Sequence, residues 1–171
     1  MTSDARSGSR ILGRLRSADG KGLVRIEDRY DTDIDDLWAA ITDPGRLARW
    51  LGRVEGDLRP GGTFRLYTAD LDSDGRVEAC EPPRRLVVRT WDLKKSEEHL
   101  IDVTLVADGE HTDLVLEERG MPVELLAAYG AGIQVHVEDL GAHLAGREHC
   151  DADARWAELE PAYDVLVADG K

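Results

Sequence analysis

The sequence predicts an α+β domain in which a multi-stranded antiparallel sheet is closed by one long helix. Three observations predict it. Short alternating segments separated by turn chemistry fill residues 63–119, two short helical patterns precede them, and one long amphipathic pattern follows at residues 122–145. A single long helix laid on such a sheet leaves a gap where a small molecule can sit.

The elements follow in chain order. Residues 1–10 are polar and read as a disordered N-terminus, and 11–171 read as one domain that includes a helical C-terminal tail. Ile11 to Arg16 is an edge-strand candidate, Asp19-Gly20-Lys21-Gly22 is turn chemistry, and Leu23 to Asp31 alternates with Val24 and Ile26 on one face. Thr32 or Asp33 can cap a short helix through Ile41, with Leu37, Trp38 and Ile41 at helical spacing. Asp43-Pro44 restarts a helix, because proline at the first helical position forfeits no hydrogen bond; Leu47, Trp50 and Leu51 form its apolar side and Gly52 ends it.

Strands are expected over Thr63 to Ala69, Gly75 to Glu81, Arg85 to Leu93, His99 to Ala107 and Thr112 to Arg119, with Val54 to Leu58 as a further candidate. The separators are Asp72-Ser73-Asp74-Gly75, Pro82-Pro83, the charged loop Lys94 to Glu98, and Asp108-Gly109. Such short links imply antiparallel meanders. Pro122 opens a helix to about Ala145, roughly 36 Å long at 1.5 Å per residue, enough to cross a sheet. Leu126, Ile133, Val137, Leu140 and Leu144 form one face of it. In the tail, Trp156, Leu159, Tyr163 and Leu166 are again at helical spacing, with Pro161 expected to break the helix or begin a turn.

Composition narrows the function. The chain has 171 residues, 42% of them hydrophobic, and a formal net charge of −13 from 35 acidic and 22 basic residues. That charge repels phosphate backbones and anionic lipid, which excludes nucleic acid and membrane as partners. No run reaches the ~20 apolar residues of a membrane span, and the N-terminus lacks a signal-peptide core. Cys80 and Cys150 do not form a disulfide framework. The expectation is a cytoplasmic protein.

Four segments carry a family resemblance. They are VRIEDRYDTDIDDLWAAITDPGRLARWLG (Val24 to Gly52), PGGTFRL (Pro60 to Leu66), GRVEACEPPRRLVVRTW (Gly75 to Trp91) and AGIQVHVEDLGAHLAG (Ala131 to Gly146). Together they resemble the SRPBCC, or START-like, superfamily over roughly residues 11 to 168, in particular the branch of heat-shock-protein-90 ATPase activator homologues. The resemblance implies a helix-grip fold of the Bet v-like kind, a curved antiparallel sheet wrapped around the C-terminal helix with an apolar cavity between them. It also implies ligands such as lipids, polyketides or hormones, cyclase chemistry in some members, and a cochaperone role in others that work with a second domain. Ile133 stands where relatives often carry Trp.

The candidate ligand-binding residues are Trp50, Phe64, Leu66, Trp91, Tyr129, Gly130, Ile133, His136 and Val137. Aromatic side chains are natural pocket walls, and ordinary core packing is the competing role for each. Phe64 and Tyr67 are an odd number apart in one strand, so only one faces inward; Phe64 and Leu66 are assigned there. Gly130 interrupts the apolar stripe and leaves volume either for a ligand or for close packing. His136, beside Tyr129, is a polar anchor or general base if it faces the cavity. Glu78, Arg89, Asp102, Glu117 and Arg119 are read as cross-strand ion pairs on the solvated face.

No nucleophile elbow, phosphate-cradling glycine loop or dinucleotide fingerprint occurs. The histidines do not converge as zinc ligands must, so no metal, cofactor or catalytic residue is assigned. The expected function is binding of a small hydrophobic molecule. A polyketide-cyclase or hydratase-type enzyme and a chaperone-associated interaction domain are the alternatives, with the partner protein and the choice between monomer and homodimer left open.

Overall fold

The computed structural model describes residues 11–68, 72–92 and 97–169. The expected disordered segment 1–10, and residues 94–96 of the charged loop, lie outside the described residues.

Eight strands form one antiparallel sheet in the order β1-β2-β8-β7-β6-β5-β4-β3. They are β1 Gly13–Ala18, β2 Lys21–Tyr30, β3 Arg53–Gly56, β4 Thr63–Tyr67, β5 Asp72–Glu81, β6 Arg85–Asp92, β7 Glu98–Asp108 and β8 His111–Pro122. Helices α1 (Ile34–Thr42) and α2 (Pro44–Trp50) carry the chain from β2 to the far edge at β3. The chain then meanders back until β8 pairs with β2. The long helix α3 (Leu126–Leu144) follows a 3-10 turn at Val123–Leu125, and α4 (Ala152–Asp169) ends the fold. This is the helix-grip architecture, a curved sheet around a long helix.

Local chemistry sets the helix boundaries. The Asp33 carboxylate accepts from the Asp36 N–H, which caps α1. Asp43 ends α1 and caps α2, with Pro44 in the first turn. Two expectations are corrected. Asp72-Ser73-Asp74-Gly75 is not a turn but the start of β5, because each residue finds a ladder partner on β4. Pro161 lies inside α4 without ending it.

The buried core lies between α3 and one half of the sheet. Leu126, Ile133, Val137 and Leu140 of α3 pack with Val24 and Ile26 of β2, Val103 and Leu105 of β7, and Leu114 of β8. Leu37, Ala40 and Ile41 of α1 join them. On its outer side α3 carries Ala127, Ala131 and Val135, which pack against Leu159 and Tyr163 of α4. Among the described residues no helix is long and apolar enough to cross a membrane.

Candidate functional site

Strand register separates the two faces of the sheet. Val24 and Ile26 face α3, and their partners carry that face across Glu118, Leu116 and Leu114 to Ile101, Val103 and Leu105. From there it passes through Leu86, Val88 and Thr90 to Ser73, Gly75, Val77 and Cys80, then to Phe64 and Leu66, and ends on Val54. These positions form the concave face.

The helices cover this face unevenly. α3 packs on β1, β2 and β8, α1 reaches β7 and β8, and α2 packs against β3. No residue of β3 to β6 belongs to the core cluster beneath α3. Of their concave residues, Val54, Phe64, Leu66, Leu86 and Val88 are half-buried, whereas Gly75 and Val77 of β5 are buried. These side chains form an apolar surface on the half of the sheet on which α3 does not pack. Phe64 lies across Gly75, where an added Cβ would come 2.3 Å from the ring. Cys80 also has a concave register position, and burial pushes its thiol pKa up.

One polar constellation occupies the concave face at the boundary between covered and uncovered halves. His99 is 8% exposed and its Nδ1 lies 2.7 Å from Glu118 Oε2. Glu97 Oε2 is 3.8 Å from His99 Nε2, and the Tyr129 ring meets the imidazole edge-on with centroids 5.0 Å apart. Burial by itself pushes the His99 pKa down, but the Glu118 hydrogen bond and charge, with Glu97 adding to them, hold it above the ordinary histidine value.

The predicted site residues separate into three groups. Phe64 and Leu66 stand half-buried on the concave face of β4. Trp50, Tyr129, Ile133 and Val137 belong to or pack against the core, with the Trp50 indole N–H donating to the Ala40 carbonyl at 2.9 Å. Three placements are corrected. Trp91 pairs with Asp74 and Glu98 on the convex face, opposite to Val88, since side chains alternate along β6. His136 is exposed, because the inward arc of α3 is taken by Ile133 and Val137. The space at Gly130 is filled by Tyr163, whose Cδ1 would lie 2.8 Å from an added Cβ.

His99 and Glu118 were not singled out in the sequence. The available signal was alternation: His99 continues the inward series of Ile101, Val103 and Leu105, and Glu118 that of Leu116 and Leu114.

The convex face has the opposite character. Arg89 pairs with Glu78 at 2.7 Å, Arg85 with Asp102 at 2.9 Å, Arg25 with Glu117 at 2.6 Å and Arg119 with Glu117 at 2.9 Å. The first three are the cross-strand pairs expected of a solvated face, and Arg119–Glu117 is a pair within β8. A shallow depression of about 280 Å³ among Arg25, Arg85, Asp102 and Glu117 is walled by groups already paired with each other. Among the described residues no three His, Cys, Asp or Glu side chains are arranged to hold a metal ion.

The fold places the chain among helix-grip domains. It belongs to the Activator of Hsp90 ATPase homolog 1-like family, whose model matches residues 31–145. The crystal structure of CalU16 from Micromonospora echinospora is similar at 29% identity, with a TM-score of 0.77 over 92% of this chain and 97% of that one. DynU16, described as a protein of the dynemicin biosynthetic locus, is 28% identical with a TM-score of 0.70 over 76% of this chain and 49% of that one. EF2215 from Enterococcus faecalis shares the fold at 17% identity and a TM-score of 0.74, over 99% of this chain and 95% of that one. No curated protein matches the chain.

Proposed function

We propose that this protein binds a small apolar organic molecule in the groove between α3 and the β3–β6 half of the sheet, in the cytoplasm. The observation that carries the reading is the uneven coverage of the concave face. Val54, Phe64, Leu66, Leu86 and Val88 share the concave register face, are half-buried and lie outside the core cluster beneath α3. Covering such a surface with a ligand gains ~25 cal/mol per Å² of apolar area removed from water. The similarity to DynU16 from a biosynthetic locus supports a small organic ligand. The free thiols of Cys80 and Cys150 support a reducing compartment.

The test is fluorescence titration with the neutral apolar probe N-phenyl-1-naphthylamine. The expected result is saturable enhancement that Leu66→Arg and Val88→Arg both abolish, each variant keeping its circular dichroism spectrum. Enhancement that survives in both folded variants overturns the reading. Native mass spectrometry of protein from its own host then identifies the chemical class of what is carried.

A second reading, proton-transfer catalysis on the bound molecule, is favoured by one observation, the carboxylate–imidazole pair of Glu118 and His99. It replaces His136, which is exposed, as the acid–base group. Its test is deuterium exchange at the α-carbon of a bound ketone, which stops in His99→Gln. Exchange that is absent in the wild type, or unchanged in the variant, excludes it.

A further inference from the structure

We propose that the hydrogen bond from Arg46 to His143 is a proton-sensitive latch, which holds α2 against the end of α3 at neutral pH and lets it loosen on acidification.

The geometry fixes the protonation state that the latch needs. The Arg46 Nε–H donates to His143 Nε2 at 3.2 Å. A guanidinium carries only donors, so Nε2 must present its lone pair, and the imidazole is neutral with its proton on Nδ1. A second proton would occupy Nε2 and abolish the bond. Arg46 cannot yield its own proton, because a guanidinium stays charged, and its Nη1 is held by the Asp36 carboxylate at 2.7 Å.

The surroundings oppose that second proton. His143 is faced by Asp36 of α1, by Arg46 and Arg49 of α2, and by His149 beyond the end of α3. One carboxylate stands against two guanidinium groups, and it is already engaged by Arg46 and by the Thr32 hydroxyl. Tyr30 of β2 lies against the neighbouring turn at Gly141, and burial keeps its phenol protonated. Burial of the imidazole, and then the two arginines, push the His143 pKa below the ordinary histidine value. A loosened α2 leaves the ring in water, with an ordinary pKa of about 6.5. The loosened state therefore takes the proton more readily. Its population is constant well above that pH and rises as pH falls through it, by at most about tenfold per pH unit.

α2 is the element placed to respond. Of its residues only Leu47 is buried, whereas α1 sends Leu37, Ala40 and Ile41 into the core. Arg46 and Arg49 both ride on α2, so moving it away from α3 takes both charges off the imidazolium together. α2 also packs against β3, so the loosening occurs at the edge of the concave face where Val54 stands.

The test is amide hydrogen exchange at pH 7.5, 6.5 and 5.5 in low salt, corrected for the intrinsic exchange rates. Protection of amides 46–52 is expected to fall with pH and to stay below that of β7, which marks local opening in a folded protein. His143→Gln supplies an amide oxygen that accepts from Arg46 without titrating, and is expected to remove the pH dependence. Arg49→Gln keeps the Arg46 bond and brings the His143 pKa nearer to its ordinary value. It is expected to weaken the acid response, and it keeps the proposal testable if His143→Gln does not fold. His111→Gln is the control and leaves the response of amides 46–52 unchanged.

Protection of amides 46–52 that does not change while the His143 ring titrates by NMR overturns the proposal, since the imidazole then turns away alone. A response that survives in His143→Gln, or that is undiminished in Arg49→Gln, also overturns it. So does protection of amides 46–52 equal to that of β7 at every pH, since α2 then opens only when the whole domain unfolds.

Discussion

The hydroxyl of Tyr163 donates to Oε1 of Gln134 at 2.6 Å, with both side chains fully buried. The same hydroxyl accepts from the Gly13 N–H at 2.9 Å, and Gln134 Oε1 also accepts from the Leu12 N–H at 3.0 Å. Gln134 Nε2 in turn donates to Glu138, which holds Arg155 through two bonds at 2.7 and 2.8 Å. This chain of bonds fixes the first strand and the last helix to the outer side of α3. Replacing Tyr163 by Phe leaves the Gly13 N–H and one acceptor site of Gln134 without that partner in a buried place. The expected loss is about 1–3 kcal/mol, read from urea denaturation.

Two glycines of α3 are expected to respond to alanine with opposite signs. At Gly130 an added Cβ meets the Tyr163 ring at 2.8 Å and Leu15 at 3.2 Å, so Gly130→Ala overpacks the contact and costs about 1–3 kcal/mol. At Gly132 the nearest atoms are those of the Trp156 ring at 3.9 Å, an ordinary contact. Gly132→Ala is expected to stabilise by up to about 1 kcal/mol through helix propensity alone. The shift of the thermal midpoint in each variant checks both.

Two histidines are expected to give stability opposite dependences on pH. Burial, and then the charges of Arg46 and Arg49, push the His143 pKa below the ordinary value. Its contribution is present above the unfolded pKa of about 6.5 and is lost as pH falls through and below it. His99, held above the ordinary value despite its burial, contributes fully below about 6.5 and loses that contribution as pH rises through its folded pKa. Urea midpoints between pH 5 and 8 should therefore flatten on the acid side in His143→Gln and on the alkaline side in His99→Gln.

The face assignments predict which aromatic residues bear on the groove. Trp91→Phe, on the convex face, is expected to leave probe affinity unchanged. Gly75→Ala is expected to weaken binding, because its Cβ displaces Phe64, whose ring atoms lie 2.3 to 2.8 Å from that position. The titration described for the wild type separates the two.

Much of the fold was legible in the sequence because it is written in periods. Alternation of Val24 with Ile26 and the stripe of Leu126, Ile133, Val137 and Leu140 each name a face without reference to any partner. Asp33 and Asp43 announce two helix starts because their carboxylates satisfy local N–H groups. Turn chemistry was less reliable. Asp72-Ser73-Asp74-Gly75 has the composition of a turn and yet pairs as a strand, since ladder bonds to β4 outweigh local preference.

The candidate site was less legible. Phe64 and Leu66 followed from parity within one strand, but Trp91 required the register of β6 against both neighbours. His136 and Gly130 sit close enough to the apolar stripe to suit either role. Only the placement of α4 showed that Tyr163 occupies the space at Gly130.

The sequence by itself determined the elements, the inward series on each strand and the separation of ion pairs from apolar side chains, since these depend on neighbours within a few residues. Tertiary structure alone decided that His99 meets Glu118 across β7 and β8, and that α3 packs on one half of the sheet and not on the other. Those facts depend on register and helix placement, which join residues distant in the chain and leave no local mark on either partner.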